Sequence, residues 1–185
     1  MSCTLTKGRS EPLCRDSIGG VKNVYLLNYI PYTYNQIQGV RGVSITDFPS
    51  SDLYKYEVVN GNFSETINND ENGINYSQSL TFTLYKQDLA TSIELNLMQK
   101  IDLRYIVEFN NGQFKMGGVY NGARLDSYTI ESGSTKSSLN GYNLTFRSED
   151  EYASPFLDDL GVLGNYLLLE NEFNVLLENS GFIIL

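Results

Sequence analysis

Histidine and tryptophan are missing from this chain of 185 residues, and cysteine occurs only as Cys3 and Cys14. Without histidine there is no Ser-His-Asp or Cys-His nucleophile, no imidazole base and no His-ligated zinc. Catalysis would fall to carboxylates, Lys or Tyr. Two thiols are too few for an all-cysteine zinc site and do not make a disulfide framework; both are expected to be reduced. Bases are scarce as well, 13 Lys and Arg against 22 Asp and Glu, which leaves a net charge of −9. That balance argues against nucleic acid held by its phosphates, a mode of binding that draws its affinity from Lys and Arg displacing counterions. No run approaches the ~18 apolar residues of a membrane span, and Met1 to Arg9 lack the apolar core of a secretory signal. The chain therefore reads as soluble and without an export signal, so the sequons at Asn62, Asn75 and Asn143 carry little weight.

What is present suits one β-rich domain over 1–185, since a chain of this length buries roughly 70% of its unfolded surface without staples. Fourteen Tyr and nine Phe exclude wholesale disorder. Period-two alternation dominates. Leu80-Thr81-Phe82-Thr83-Leu84 puts large apolar groups on one face and hydroxyls on the other. Arg104 to Phe109 repeats the pattern with Tyr105, Val107 and Phe109 inward. A two-residue turn at Asn111-Gly112 would place Phe109 opposite Phe114 and Val107 opposite Met116. A second hairpin turning at Asn60-Gly61 would set Val58 against Phe63 and Tyr56 against Glu65. Further strands are expected at Asn23 to Tyr29, Gly42 to Thr46, Tyr54 to Val59, Asp126 to Glu131 and Tyr142 to Arg147. Tyr32 to Gln36 reads as a loop.

One segment follows a helical period. From Asp88 to Ile101, Leu89, Ile93, Leu97 and Ile101 recur every four residues, Ala90 and Met98 widen the stripe, and Glu94 and Lys100 fall outside it. Asp88 is placed to cap this helix, whose stripe is expected to cover a sheet face. The stretches Asn60 to Ser79 and Ser132 to Asn140 are polar and read as loops or extended hairpins reaching beyond the core. After about residue 160, apolar runs end in Phe182-Ile183-Ile184-Leu185, which suggests buried strands or assembly surfaces.

Motifs for chemistry are poor. Asn68-x-Asp70-x-Asn72-Gly73 mimics a calcium loop, but Ser79 stands where a bidentate Glu should close the shell. Glu149-Asp150-Glu151 and Asp158-Asp159 could supply a pair of glycosidase carboxylates, yet such pairs come from separate elements converging on a cleft, and an exposed acidic segment between Arg147 and Pro155 is the simpler reading. Gly19-Gly20 lacks the spacing of a phosphate-binding loop. Tyr32, Tyr34, Tyr76 and Tyr120 are the loop-borne rings that a carbohydrate-binding module would use. Neither a cofactor nor a metal is expected, and no catalysis.

Two stretches carry a resemblance, and together they span roughly a third of the chain. Cys3, Gly8-Arg9, Cys14, Asp16, Ile18 to Lys22 and Val24-Tyr25-Leu26 resemble the opening of virion proteins from tailed bacteriophages. Gly117 to Gly122, Tyr128 to Gly133, Leu139 to Phe146 and Glu149 to Phe156 resemble the later half of phage tail tube proteins. That resemblance implies an antiparallel β-sandwich or partly closed barrel with one flanking helix (about 88–101), forming hexameric rings that stack into a tube. DNA would pass through such a tube without specific binding, in the virion tail, after assembly in the host cytoplasm. It also implies an amino-terminal arm (about 1–21) and contacts between subunits, assigned to Asn68, Asp70, Asn72 and Ile74 of the first polar stretch, Ser132, Lys136 and Leu139 of the second, and Phe182, Ile183, Ile184 and Leu185. A tail terminator or head-to-tail connector is the related alternative, and a sugar-binding β-sandwich module the alternative from another class.

Overall fold

The computed structural model describes residues 8–9, 18–31, 38–40, 44–49, 52–71, 73–158 and 160. Along the chain run β1 (Val21–Asn28), β2 (Gln38–Val40), β3 (Ser44–Asp47), β4 (Tyr54–Glu57), β5 (Asn60–Asp70), β6 (Gly73–Tyr85), α1 (Leu89–Met98), β7 (Leu103–Phe109), β8 (Phe114–Gly117), β9 (Ala123–Glu131), β10 (Gly141–Asp150) and β11 (Phe156–Leu157). Among the described residues the protein is thus mainly β with one helix, and these strands form a mixed sheet that does not close into a barrel. The order is β2-β3-β11-β8-β7-β9-β10-β6-β5, with β1 paired to β7 and β4 to β1. All pairings are antiparallel except β11 with β3.

Strand β7 is the hub. One edge pairs along its length with β1; the other pairs with β9 at Leu103↔Ala123 and then with β8 from Tyr105 to Glu108. The sheet folds over at this point, so that β6 and β10 lie across from β1 and β7. Between them sits the larger core, with Val24, Leu26, Tyr105 and Val107 meeting Leu80, Phe82, Leu144 and Phe146, and with Leu95 and Met98 of α1 closing it. Phe63 on β5 meets Tyr105 and Phe109 edge-on, at 6.4 and 6.2 Å between ring centroids. Gly61 lets β5 come this close, because a Cβ there would stand 2.8 Å from that of Val21. A second apolar cluster, including Tyr25, Leu27, Ile106, Met116, Ile45 and Leu157, covers the outer face of β1 and β7.

This two-sided burial corrects the alternation expected of β7. Tyr105 and Val107 do face the larger core, but Arg104, Ile106 and Glu108 on the opposite face are buried too, as befits a strand covered on both faces. Glu108 is accommodated by Lys22, Asn23 and Tyr25, whose polar groups donate to its carboxylate at 2.7, 2.7 and 2.9 Å. The hairpin from β7 to β8 exists, but its register differs by one residue from that expected. Phe109 N–H donates to Gln113 O, so Asn110, Asn111 and Gly112 form a three-residue loop with Gly112 at φ +81°. Ile106 therefore faces Met116, and Val107 faces Lys115. Asn60-Gly61 is not a turn, since β4 pairs with β1 while β5 pairs with β6. The acidic segment after Arg147 is only partly exposed: β10 continues to Asp150, which is buried. Tyr76 lies in β6 and not in a loop. Cys3, Cys14, Tyr32, Tyr34, most of the amino-terminal arm and Phe182 to Leu185 lie outside the described residues.

Burial opposes the charge on Glu108, but the hydrogen bonds from Asn23, Lys22 and Tyr25 outweigh it and hold the carboxyl below its ordinary value of 4.5. A depressed carboxyl stabilises the fold above the unfolded value, and that stability is lost as pH falls through the folded one. Asp150, pushed up chiefly by burial, titrates in the opposite sense and is common to parent and variant. Thermal unfolding of the parent and Glu108→Gln should therefore differ most at neutral pH, the parent being the more stable, and the gap should close as the pH drops below 4.5.

Candidate assembly surfaces

The hairpin of β5 and β6 is the longest among the described strands, paired without a break from Asn60↔Thr83 to Asp70↔Gly73. Gly73 closes it at φ +145°, a value that side-chain-bearing residues rarely adopt. Because opposite residues share a face and alternate residues along a strand do too, Phe63, Glu65 and Ile67 line up with Leu80, Gln78 and Tyr76. Leu80 and Phe82 are core. Glu65 and Gln78 mark its rim: Glu65 accepts the Ser154 N–H at 2.6 Å, and Gln78 Oε1 accepts from Gly118 N–H and Ser148 Oγ. Past that rim the same face continues as Ile67, Tyr76 and Ile74, with Ile67 and Ile74 more than half exposed. Five further residue pairs carry the hairpin about 17 Å beyond the rim. The opposite face is polar, with Thr66, Asn68, Asn75 and Ser77, where Asn68 Nδ2 donates to Ser77 Oγ at 2.7 Å.

The loop from Ser132 to Asn140 joins β9 to β10 at the other end of the sheet. Gly141 of β10 pairs with Tyr85, and Asp150 with Tyr76, so the loop stands at the Tyr85 end and the hairpin tip at the Asp150 end. Ser132 and Lys136 are exposed and Leu139 is half-buried. Thr135 and Ser138 shape the loop through mutual backbone and hydroxyl bonds. The expected contact residues thus separate into two groups: Asn68, Asp70 and Ile74 at one end, Ser132, Lys136 and Leu139 at the other. Asn72 and Phe182 to Leu185 fall outside the described residues. Asn68 lies within a strand, with its amide spent on Ser77, so the calcium-like spacing is not presented as a binding loop. Among the described residues no three His, Cys, Asp or Glu gather as a metal site.

The helix departs from its expected roll. Asp88 caps it as foreseen, accepting from Thr91 N–H and Thr91 Oγ1, both at 2.7 Å. Hydrogen bonding from Thr91 holds the Asp88 carboxyl below the usual range. The buried side chains, however, are Leu95 and Met98, while Leu89, Ile93, Leu97 and Ile101 lie in solvent. Polar anchors set this roll: the Tyr142 hydroxyl engages the backbone N–H and C=O of Asp88 and the Ser92 hydroxyl, and Gln99 reaches the Tyr128 hydroxyl. Glu94 and burial together push the Tyr56 hydroxyl on β4 up to about 12, burial being the larger cause. Strict parity back from Leu80 would have revealed the Ile67–Tyr76–Ile74 face in the sequence, whereas nothing local announces the role of Tyr142.

Charged and concave regions offer little chemistry. Arg124 pairs with Asp102 at 2.6 Å and Arg147 with Asp126 at 3.0 Å, around a shallow cleft of about 450 Å³ that Glu149 also lines. A second cleft of about 450 Å³, between Gly19–Val21, Val59–Asn62 and Thr81–Thr83, is walled by glycine, threonine, asparagine and apolar groups, with no titratable side chain. Tyr25, Tyr105 and Tyr142 are core residues. Among the described residues, no helix is long and apolar enough to cross a membrane. The chain matches no family model, no curated protein and no solved structure.

The passage from core to free surface along one hairpin face is measurable by urea unfolding. Leu80→Ala should cost about 2–5 kcal/mol, the usual range for emptying a core site. Ile67→Ser and Ile74→Ser, beyond the rim, should each stay within about 0.5 kcal/mol of the parent.

Proposed function

We propose that this chain is a non-enzymatic structural subunit of a bacteriophage tail tube, forming hexameric rings that stack into a conduit for DNA. The observation that carries the reading is the placement of the two protruding polar elements at opposite ends of one sheet, one of them an extended hairpin whose apolar face is left open by the described residues. A patch at one end that seeks a different surface at the other end of a second copy generates a heterologous contact. Repeated along an axis, such contacts stack. Strand β5, hydrogen-bonded only to β6 among the described residues, leaves a long free edge, and natural proteins cover such edges or use them.

Charge supports the same reading. With a net charge of −9 and Lys22, Lys55, Arg124 and Arg147 each paired with a carboxylate, acids outnumber the bases that could anchor phosphates, which favours a duplex that slides inside the tube without being held. The phage-like stretches of sequence give the reading its particular identity, and the open, mainly β architecture is compatible with it.

Negative-stain electron microscopy of the full chain across a concentration series, with light scattering for mass, tests it. Hollow tubes of uniform width are expected. The Ile67→Ser/Ile74→Ser double variant should fold as the parent does yet stop at single rings or free subunits. Discrete rings of the parent that never stack would assign the chain to the terminator or connector class, and a monomer at every concentration would overturn the reading.

A further inference from the structure

We propose that the outward apolar stripe of α1 is the docking seat of the chain's own carboxyl-terminal segment, residues 161–185. Leu89, Ile93, Leu97 and Ile101 are 78, 51, 50 and 43% exposed. At 100° per residue the four-residue spacing keeps Leu89, Ile93 and Leu97 on one side of the helix, turned away from Leu95 and Met98, which already fill the core; Ile101 follows just past the helix end. Single exposed apolar residues are ordinary, but three in register along one helix, with a fourth beyond its end, make a strip that calls for a cover. The roll of the helix is fixed by Tyr142, Ser92 and Gln99, so the strip cannot turn inward without breaking those bonds.

Three properties of the molecule select the occupant. Residues 161–185 are 14 parts in 25 apolar, in the runs Tyr166 to Leu169, Phe173 to Leu177 and Phe182 to Leu185. Their charged side chains are Glu170, Glu172 and Glu178, with no Lys or Arg; around the strip, Lys86 and Lys100 are exposed at its two ends, Asp88 is engaged as the helix cap and Glu94 is exposed beside Ile93. The segment therefore matches the seat chiefly through its apolar runs, with the two lysines placed to meet its acids. Reach is ample: Leu160 packs on the cluster outside β1 and β7, and 25 residues at about 3.3 Å each extend to roughly 80 Å, far beyond the ~16 Å radius of gyration of a globule of this size. The seat can thus be filled from the same subunit or from a neighbour. This inference does not rest on tube formation, since it concerns which segment covers the helix and not what the subunits build.

Photo-crosslinking of the full chain, with p-benzoylphenylalanine in place of Ile93, tests the proposal. Because Ile93 is exposed, the substitution leaves the core intact, and Leu97 serves as a second probe position. After irradiation and digestion, crosslinked peptides should come from residues 161–185, at the parent mass if the segment folds back and at twice that mass if a neighbour supplies it. Adding Lys86→Glu and Lys100→Glu should lower the crosslink yield severalfold while leaving the circular dichroism unchanged. Crosslinks to the β5–β6 hairpin of another copy, crosslinks to other proteins, or no crosslink from either probe position would overturn the proposal. Microscopy reports tube formation separately, so the two readings can fail independently.

Discussion

The turn from Gly118 to Gly122 is held between two buried charged side chains, and the rest of the architecture depends on that grip. Asp150 accepts the N–H groups of Val119, Tyr120 and Asn121 at 3.0, 3.3 and 3.0 Å. From the other side, Arg104 Nε donates to Val119 O at 2.9 Å, with its guanidinium 4.3 Å above the Tyr29 ring. Burial pushes the Asp150 carboxyl up, and the backbone donors of Asn121, Tyr120 and Val119 pull against it. Stripping such a group of its partners costs about 3–5 kcal/mol. At this turn the chain leaves β8 in one layer and begins β9, which leads into the other. The direction of β9 sets β10, then β6, then β5, so the projecting hairpin takes its aim from a carboxylate more than seventy residues away in sequence.

Much of the strand content was legible because half-buried strands write their pattern locally. Leu80-Thr81-Phe82-Thr83-Leu84 and Tyr142 to Arg147 lie where alternation puts them, and Asp88 caps the helix for the reason its side chain suggests. What failed to read through was decided by distant neighbours. Ile106 and Glu108 are buried because the second cluster and Lys22, Asn23 and Tyr25 cover a face that alternation assigns to solvent. The β7–β8 register slipped by one because Gly112 alone, and not Asn111 with it, is left-handed, which suits a three-residue loop and not the two-residue turn that needs both. Asn60-Gly61 looks like a turn, yet the pairing of β4 with β1 draws the chain past it. The four-residue stripe of α1 was misjudged in direction, since a tyrosine fifty residues later fixes which way the helix faces, and in length, since the helix ends at Met98 and leaves Ile101 beyond it.

For the surfaces, the sequence drew attention to polar segments, and the fold adds an apolar face within one of them. The stretch from Asn60 to Ser79 drew attention through its asparagines, but Asn68 and Asn75 lie on the polar face of the hairpin. The apolar groups that the described residues leave open are Ile67 and Ile74, which with the half-buried Tyr76 continue the face of Leu80 and Phe82. A core face that runs on past the core is a stronger mark of association than any polar motif, because it is the same apolar material without its cover. Composition hides this, since the isoleucines are diluted among polar neighbours.

The two-residue strand β11 joins the most distant parts of the chain. Phe156 and Leu157 lie parallel to Ser44 and Ile45 and antiparallel to Lys115 and Phe114, so β2 and β3 are stitched to the rest of the sheet through residues synthesised more than a hundred positions later. Contacts of such sequence separation form slowly. On the ribosome, β3 must wait with an open edge until Phe156 and Leu157 have emerged, so the order of synthesis makes this corner the last of the described sheet to be closed.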